Sequence, residues 1–317
     1  MSAAVTRQHI RRARGMITAM QRTDSNVEHL IAPARHLAQG DDNIWSDHHF
    51  VWKRPDTWTP QLTAWLSPRF RRDGMRRLKP GRFRDLCWDD SEWSDALERC
   101  LVADFGCHAD ALANALDPAV MRTFHGCRTA DAGSYFRDGL RVHDRAAMIA
   151  QVKAIVAGSE ELKWMRDRVE AAIAEIENEL DPGRLYVVAD DTVLLKYAAH
   201  YLIYGSEWVS AVLGAFGRRV LLQSGAPTLL EIDLPLRMSS VQTRTELAAK
   251  MLREWTRLAC NRPDWSAPID FSFCLRTDIP AAWIVCHSHP AELHDPLEQE
   301  RIYRSRVLTC AHCASQS

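Results

Sequence analysis

Three short stretches of the chain hold polar side chains of the kinds that bind ligands and move protons. In Phe124-His125-Gly126-Cys127-Arg128 an imidazole and a guanidinium flank a glycine, where a ligand can approach the backbone closely. Tyr186 stands in the strand-like run GRLYVVAD. In KYAAHYLIYGSEW, Tyr197, His200, Tyr204 and Glu207 recur at spacings of three and four, which predicts one shared face of a helix. Leu202, Ile203, Trp208, Val209 and Val212 give that helix an apolar face to turn inward. The polar face also reads as solvated surface, although Lys and Glu would serve solubility better than two phenols and an imidazole. Cys127 lies two residues from His125. On a strand the thiol and imidazole would share a side, which leaves a thiolate–imidazole pair geometrically open.

The order of these pieces resembles the NAD-binding half of the ADP-ribosyltransferase fold. That superfamily takes in the poly(ADP-ribose) polymerase type, DNA-modifying toxins and RNA 2′-phosphotransferases. In the polymerase type a His-Gly-Ser/Thr motif is followed by a helix ending in Gly-Leu. Gly-x-x-Tyr on a strand comes next, then another Tyr. Here His125-Gly126, Gly139-Leu140, Gly183 with Tyr186, and Tyr197 stand in that order, with the family's interval between the two tyrosines. The resemblance covers residues 121–204 and extends weakly to 290.

Strands and helices that interleave irregularly after a helical, aromatic-rich N-terminal region predict an α+β fold, and the resemblance implies that its later part is an ADP-ribosyltransferase-like split β-sheet domain with helical insertions. The resemblance also implies NAD as substrate and ADP-ribosyl transfer to a protein or nucleic-acid target. His125 would bond the ribose on the nicotinamide side and the Gly126 backbone would grip the carboxamide. Tyr197 would stack on nicotinamide and Tyr186 would line the cleft, with Arg128, His200 and Tyr204 around the cofactor. Such an enzyme positions the ring and stabilises an oxocarbenium-like charge. Cys127 replaces the family's hydroxyl residue. The late runs DFSFCLR and AWIVCHS carry no Glu where the family keeps its catalytic one. Glu207 is therefore the expected catalytic carboxylate beside His125, with Glu231 and Asp270 as the other candidates. Phosphotransfer onto NAD, and a non-catalytic NAD or nucleotide sensor, remain open on the same residues.

Other clusters carry different chemistry. Between Arg69 and Arg84, RFRRDGMRRLKPGRFR holds eight basic residues against one Asp, with Phe70 and Phe83 interleaved. Such a stripe could neutralise phosphates and stack a base, making a nucleic-acid-binding module the alternative function. It also reads as a solvated face balanced by the acidic WDDSEW after it. Cys310-Ala-His-Cys313 is a C-x-x-C, and Cys286, His287 and His289 precede it. Four of these could make a tetrahedral zinc site. Chain ends tend to fray and there is a single C-x-x-C, so the expectation is no metal. No Walker or dinucleotide Gly-rich loop appears, which speaks against ATP chemistry and hydride transfer.

The elements that must position these groups follow from the wider pattern. The chain has 317 residues, 46% hydrophobic and 26% charged, with a net charge of −1. That is ordinary globular composition with no general pull toward nucleic acid or membrane. No apolar run approaches the roughly 20 residues of a membrane helix, and the N-terminus lacks a secretory apolar core. Nine cysteines without a framework read as reduced thiols, and the expected setting is cytoplasmic. Residues 1–44 read as a helical arm and linker, and 45–120 as short helices packed by large rings, with one helix over Ser91–Leu116. Residues 121–298 form the ADP-ribosyltransferase-like domain and 299–317 a C-terminal tail. Within that domain, helices are expected from Met148 to Leu180, from Thr192 to Phe216 and from Thr243 to Cys260. Strands are expected at RLYVVAD, APTLLEIDLPL, IDFSFCLR and AWIVCHS.

Overall fold

The computed structural model describes residues 42–78, 86–87, 89–176, 181–261, 267–299 and 301–316. The arm expected at 1–44 falls almost wholly outside them. The fold is mixed helix and sheet. Runs of alternating apolar residues make β1 (His49–Phe50), β2 (Val120–Thr129), β3 (Leu185–Val188), β4 (Ala226–Pro235), β5 (Ser272–Leu275) and β6 (Ile284–Ser288). These form one sheet in the order β5-β3-β2-β4-β6, with β1 also paired to β2. A second sheet is the hairpin β7 (Glu292–Asp295) and β8 (Arg301–Arg304).

Helices α1 (Thr59–Leu66), α2 (Gly74–Arg77), α3 (Glu92–Glu98) and α4 (Phe105–Ala115) precede β2. Between β2 and β3 lie α5 (Gly133–Asp138), α6 (Arg145–Gly158) and α7 (Val169–Ile176). A π-helix (Val193–Tyr197), α8 (His200–Tyr204) and α9 (Glu207–Leu221) lead to β4. Helix α10 (Val241–Asn261) follows β4, and α11 (Ala311–Gln316) ends the described chain.

The chain divides into two compact units. One runs up to Arg122 and takes Asp233–Phe273 as well. Its core is built on indoles: Trp45, Trp58, Trp65, Trp93 and Trp255 are fully enclosed. The indole N–H groups of Trp255, Trp58 and Trp93 donate to the Thr63 hydroxyl and to the Trp52 and Cys87 carbonyls at 2.8, 3.2 and 2.8 Å, whereas that of Trp45 is buried without a partner. Arg257 forks onto Glu254 through two 2.7 Å bonds, and the Ala267 amide donates to the same carboxylate at 3.0 Å. A buried ion pair needs such completion to offset its desolvation.

The other unit holds Thr123–Ile232 and the chain from Cys274 onward. It has two apolar cores. Met148, Val152, Val156, Met165, Val169, Ile173, Trp208 and Leu213 close α6, α7 and α9 onto one another. Phe124 of β2 and Leu229 of β4 meet Leu194, Leu202, Ile203 and Leu293 in the second.

Several expected helices are interrupted, each for a local reason. Ser91–Leu116 splits because the Asp104 carboxylate accepts the Cys107 amide at 2.7 Å and starts α4 afresh. Met148–Leu180 divides into α6 and α7 with a 3-10 turn between them, and residues 177–180 lie outside the described ones. Thr192–Phe216 breaks at Gly205, whose φ of 82° no helix accommodates, and Ser206 caps α9 through the Val209 amide. The expected single face of Tyr197, His200, Tyr204 and Glu207 is therefore spread over three separate segments. Residues 299–317, expected as a tail, carry β8 and α11.

Candidate functional site

Strands β2 and β3 pair antiparallel with Phe124, one residue from His125, opposite Val188, two residues from Tyr186. The His125 ring reaches Tyr186 through the backbone: its Nδ1–H donates to the Tyr186 carbonyl at 3.0 Å. A carbonyl only accepts, so the tautomer is fixed and Nε2 keeps its lone pair. Burial, opposed by that hydrogen bond, pulls the imidazole pKa below its ordinary value, and the neighbouring His143 adds to the effect. The Tyr186 ring is 40% exposed. Its hydroxyl donates to Asp181 at 2.6 Å, and Arg184 donates to the same carboxylate at 2.9 Å. Burial and the Asp181 acceptor push that phenol up to about 12. His125, His143, Asp181, Arg184 and Tyr186 thus form one continuous polar cluster. His143 and Asp181 were not among the sequence candidates. A histidine just after the Gly-Leu closure and the Asp of Asp-Pro-Gly were the available signals.

Glu207 belongs to a second group. Its carboxylate accepts the Tyr201 hydroxyl at 2.6 Å. The His200 ring lies 4.1 Å from that of Tyr201, centroid to centroid. Burial lowers the His200 pKa although Glu207 and Asp295 oppose it. The Tyr201 phenol is raised first by burial, then by Glu207, with Tyr186 a smaller contributor, so the two groups are neighbours. Tyr201, four residues after Tyr197, was not among the sequence candidates.

The remaining expectations are redirected by packing. Tyr197 ends the π-helix with its ring 36% exposed. Tyr204 is buried and donates its hydroxyl to Asp295 at 2.5 Å, with Arg218 over its ring, so it belongs to the core. Arg128 cannot hold a cofactor, because all five of its N–H groups are committed. They reach the carbonyls of Ser224, Ile203, Leu222 and Gly225 and the Tyr303 hydroxyl, at 2.8–3.2 Å. The glycine at 126 serves close packing, since a Cβ there would meet Leu194 and Leu202 at 3.2–3.3 Å. Burial pushes the Cys127 thiol up to about 12, with Tyr135 as its hydrogen-bond neighbour. That keeps it protonated at neutral pH and removes the thiolate–imidazole pair. Glu231 sits in β4 across from Cys286, and Asp270 is exposed in the other unit.

The described part of the basic stripe is only partly tied to its own fold, and Arg71, Arg72, Arg76 and Arg77 are exposed. Arg69 lies 3.7 Å over the Trp65 ring and donates to the Trp65 carbonyl, Arg71 donates to the Leu101 carbonyl, and Arg76 pairs with Asp73. Phe70 faces Trp255 at 6.0 Å. Phe83 and its neighbours lie outside the described residues. No helix among the described residues is long and apolar enough to cross a membrane. No protein-family model, curated protein or solved structure matches the chain.

Proposed function

We propose that this chain binds NAD at the β2–β3 margin and transfers its ADP-ribose to a protein or nucleic-acid acceptor. The observation that carries the reading is the pinned imidazole. The strands bearing the His-Gly and Gly-x-x-Tyr motifs are hydrogen-bonded neighbours, and His125 is tied to Tyr186 across them at 3.0 Å. A neutral ring held by Nδ1 offers Nε2 to a ribose hydroxyl, and the exposed Tyr186 ring offers a wall for nicotinamide. Cleavage of the ribose C1′–nitrogen bond leaves the electron pair on nicotinamide and positive charge on the sugar. A carboxylate nearby offsets that charge. Glu207, oriented by Tyr201, takes this part, and Asp181, anchored on Tyr186, is the second carboxylate at the margin.

The test is incubation with labelled NAD, with and without a cell lysate as acceptor source. Nicotinamide release and label transfer are expected. His125→Ala should lower both at least about 100-fold, and Glu207→Gln compared with Asp181→Asn assigns the carboxylate. Thermal stabilisation by NAD without turnover would replace transfer by the sensor reading, because a ligand that binds only the folded state stabilises it. Undiminished turnover in His125→Ala removes the pocket altogether.

A further inference from the structure

Away from His125, the unit that holds it gathers two histidines and two cysteines at one point. His287 stands in β6, His289 just beyond it, Cys310 immediately before α11 and Cys313 in the first turn of that helix. The Nε2 atom of His287 is 3.1 Å from the Cys313 sulfur and 3.6 Å from the Cys310 sulfur. The Nε2 atom of His289 is 3.6 Å from the Cys313 sulfur, and the two sulfurs are 3.9 Å apart. All four atoms lie within 4.8 Å of one another. A disulfide would bring the sulfurs to about 2.05 Å, so these thiols are not joined. Zinc bonded at about 2.3 Å to sulfur and about 2.0–2.1 Å to nitrogen, at tetrahedral angles, spaces its ligand atoms about 3.3–3.8 Å apart.

We propose that His287, His289, Cys310 and Cys313 bind one Zn²⁺ as a closed structural site that fastens α11 to the β4–β6 edge of the sheet. The surrounding contacts are those a zinc site needs. The Nδ1–H of His289 donates to the Pro227 carbonyl at 2.9 Å and lies 3.2 Å from the Thr228 hydroxyl, which turns the Nε2 lone pair toward the sulfurs. Both partners belong to β4. The Ala311 amide donates to the Ala130 carbonyl at 3.0 Å, fixing the start of α11 from the other side. Phe136 packs edge-on to His287 and face-on to His312, at 5.6 and 5.0 Å, and limits rotation of the ligand-bearing segments. Of the two neighbouring sequence candidates in β6, Cys286 alternates to the opposite side of the strand and is exposed, so the ligand there is His287. On binding, both thiols release their protons to water, and two thiolates neutralise the dication. Four protein ligands fill a tetrahedron and leave no open position for substrate, so the role is structural. Two thiolates with two imidazoles in that geometry favour zinc over magnesium or calcium.

Elemental analysis of the full chain purified without added metal tests the proposal. About one zinc per chain is expected, falling well below half in Cys310→Ser and His289→Ala and unchanged in Cys286→Ser. Should those variants fail to fold, the native chain exchanged with cobalt still decides. An intense visible spectrum of tetrahedral cobalt with thiolate charge-transfer bands supports the site, and an octahedral or absent spectrum overturns it. A folded, reduced, metal-free native chain that takes up no zinc, or one with Cys310 and Cys313 joined as a disulfide, likewise overturns it.

Discussion

At the scale of single residues, several polar side chains among the described residues are held by backbone carbonyls rather than by one another. Arg128 is the clearest case, with five N–H groups on five separate acceptors. An ammonium has three donors and no planar fork, so lysine cannot replace that pattern. Arg128→Lys is expected to cost about 2–4 kcal/mol, read as a lower urea midpoint with an unchanged slope. His125 works by the same logic, since its ring is oriented by a carbonyl and not by a carboxylate. The residue types of the polar cluster were legible in the sequence, because His125 and Tyr186 stand beside glycines in strand-like runs. Their partners were not. Asp181 reaches Tyr186 across the Asp-Pro-Gly turn and Tyr201 reaches Glu207 across a helix break, and neither relation follows from helical spacing.

At the scale of elements, glycine geometry decides where segments stop. Gly139 ends α5 with φ at 76°, and a Cβ there would stand 2.2 Å from the Ile279 carbonyl oxygen. The backbone on both sides is committed, since Leu140 and Ile279 exchange amide–carbonyl bonds of 2.9 and 2.8 Å. Gly139→Ala is therefore expected to destabilise by about 2–4 kcal/mol, through both strain and overlap. At Gly158 an added methyl would meet nothing within 4 Å, so Gly158→Ala should be neutral or stabilising by about 0.5 kcal/mol. Melting temperatures of the two variants separate these outcomes. The principal strands and α10 were readable from apolar alternation and helical periodicity. The hairpin β7–β8 was not, because Glu292, His294, Arg301 and Arg304 are polar and only Leu293 and Asp295 turn fully inward. Helix interruptions were equally hidden, since Asp104 and Ser206 act as caps only once the preceding chain has turned.

At the scale of the whole molecule, neutral imidazoles that are buried or half-buried set the response to acid. His48, His108, His125, His143 and His200 all have pKa values lowered chiefly by burial. In the unfolded chain the same groups titrate near 6.5. Below that pH the unfolded state takes up protons that the folded state resists, so stability is full above about 6.5 and declines as the pH falls. The melting temperature should drop steadily between about pH 7 and about pH 5, and a flat profile over that range would contradict the assignment of these rings as at least half-buried and neutral.

The enclosed indoles of the tryptophan-rich unit have an optical consequence. Trp45, Trp58, Trp65, Trp93 and Trp255 are 0% exposed, while Trp164, in the unit that carries His125, is 54% exposed. A dissolved quencher reaches Trp164 early, while the five enclosed rings, together with Trp52 at 3% and Trp208 at 7% exposure, keep a short-wavelength glow. Loss of that shielded glow therefore reports mainly the opening of the tryptophan-rich unit, which holds six of these seven rings, without any attached dye.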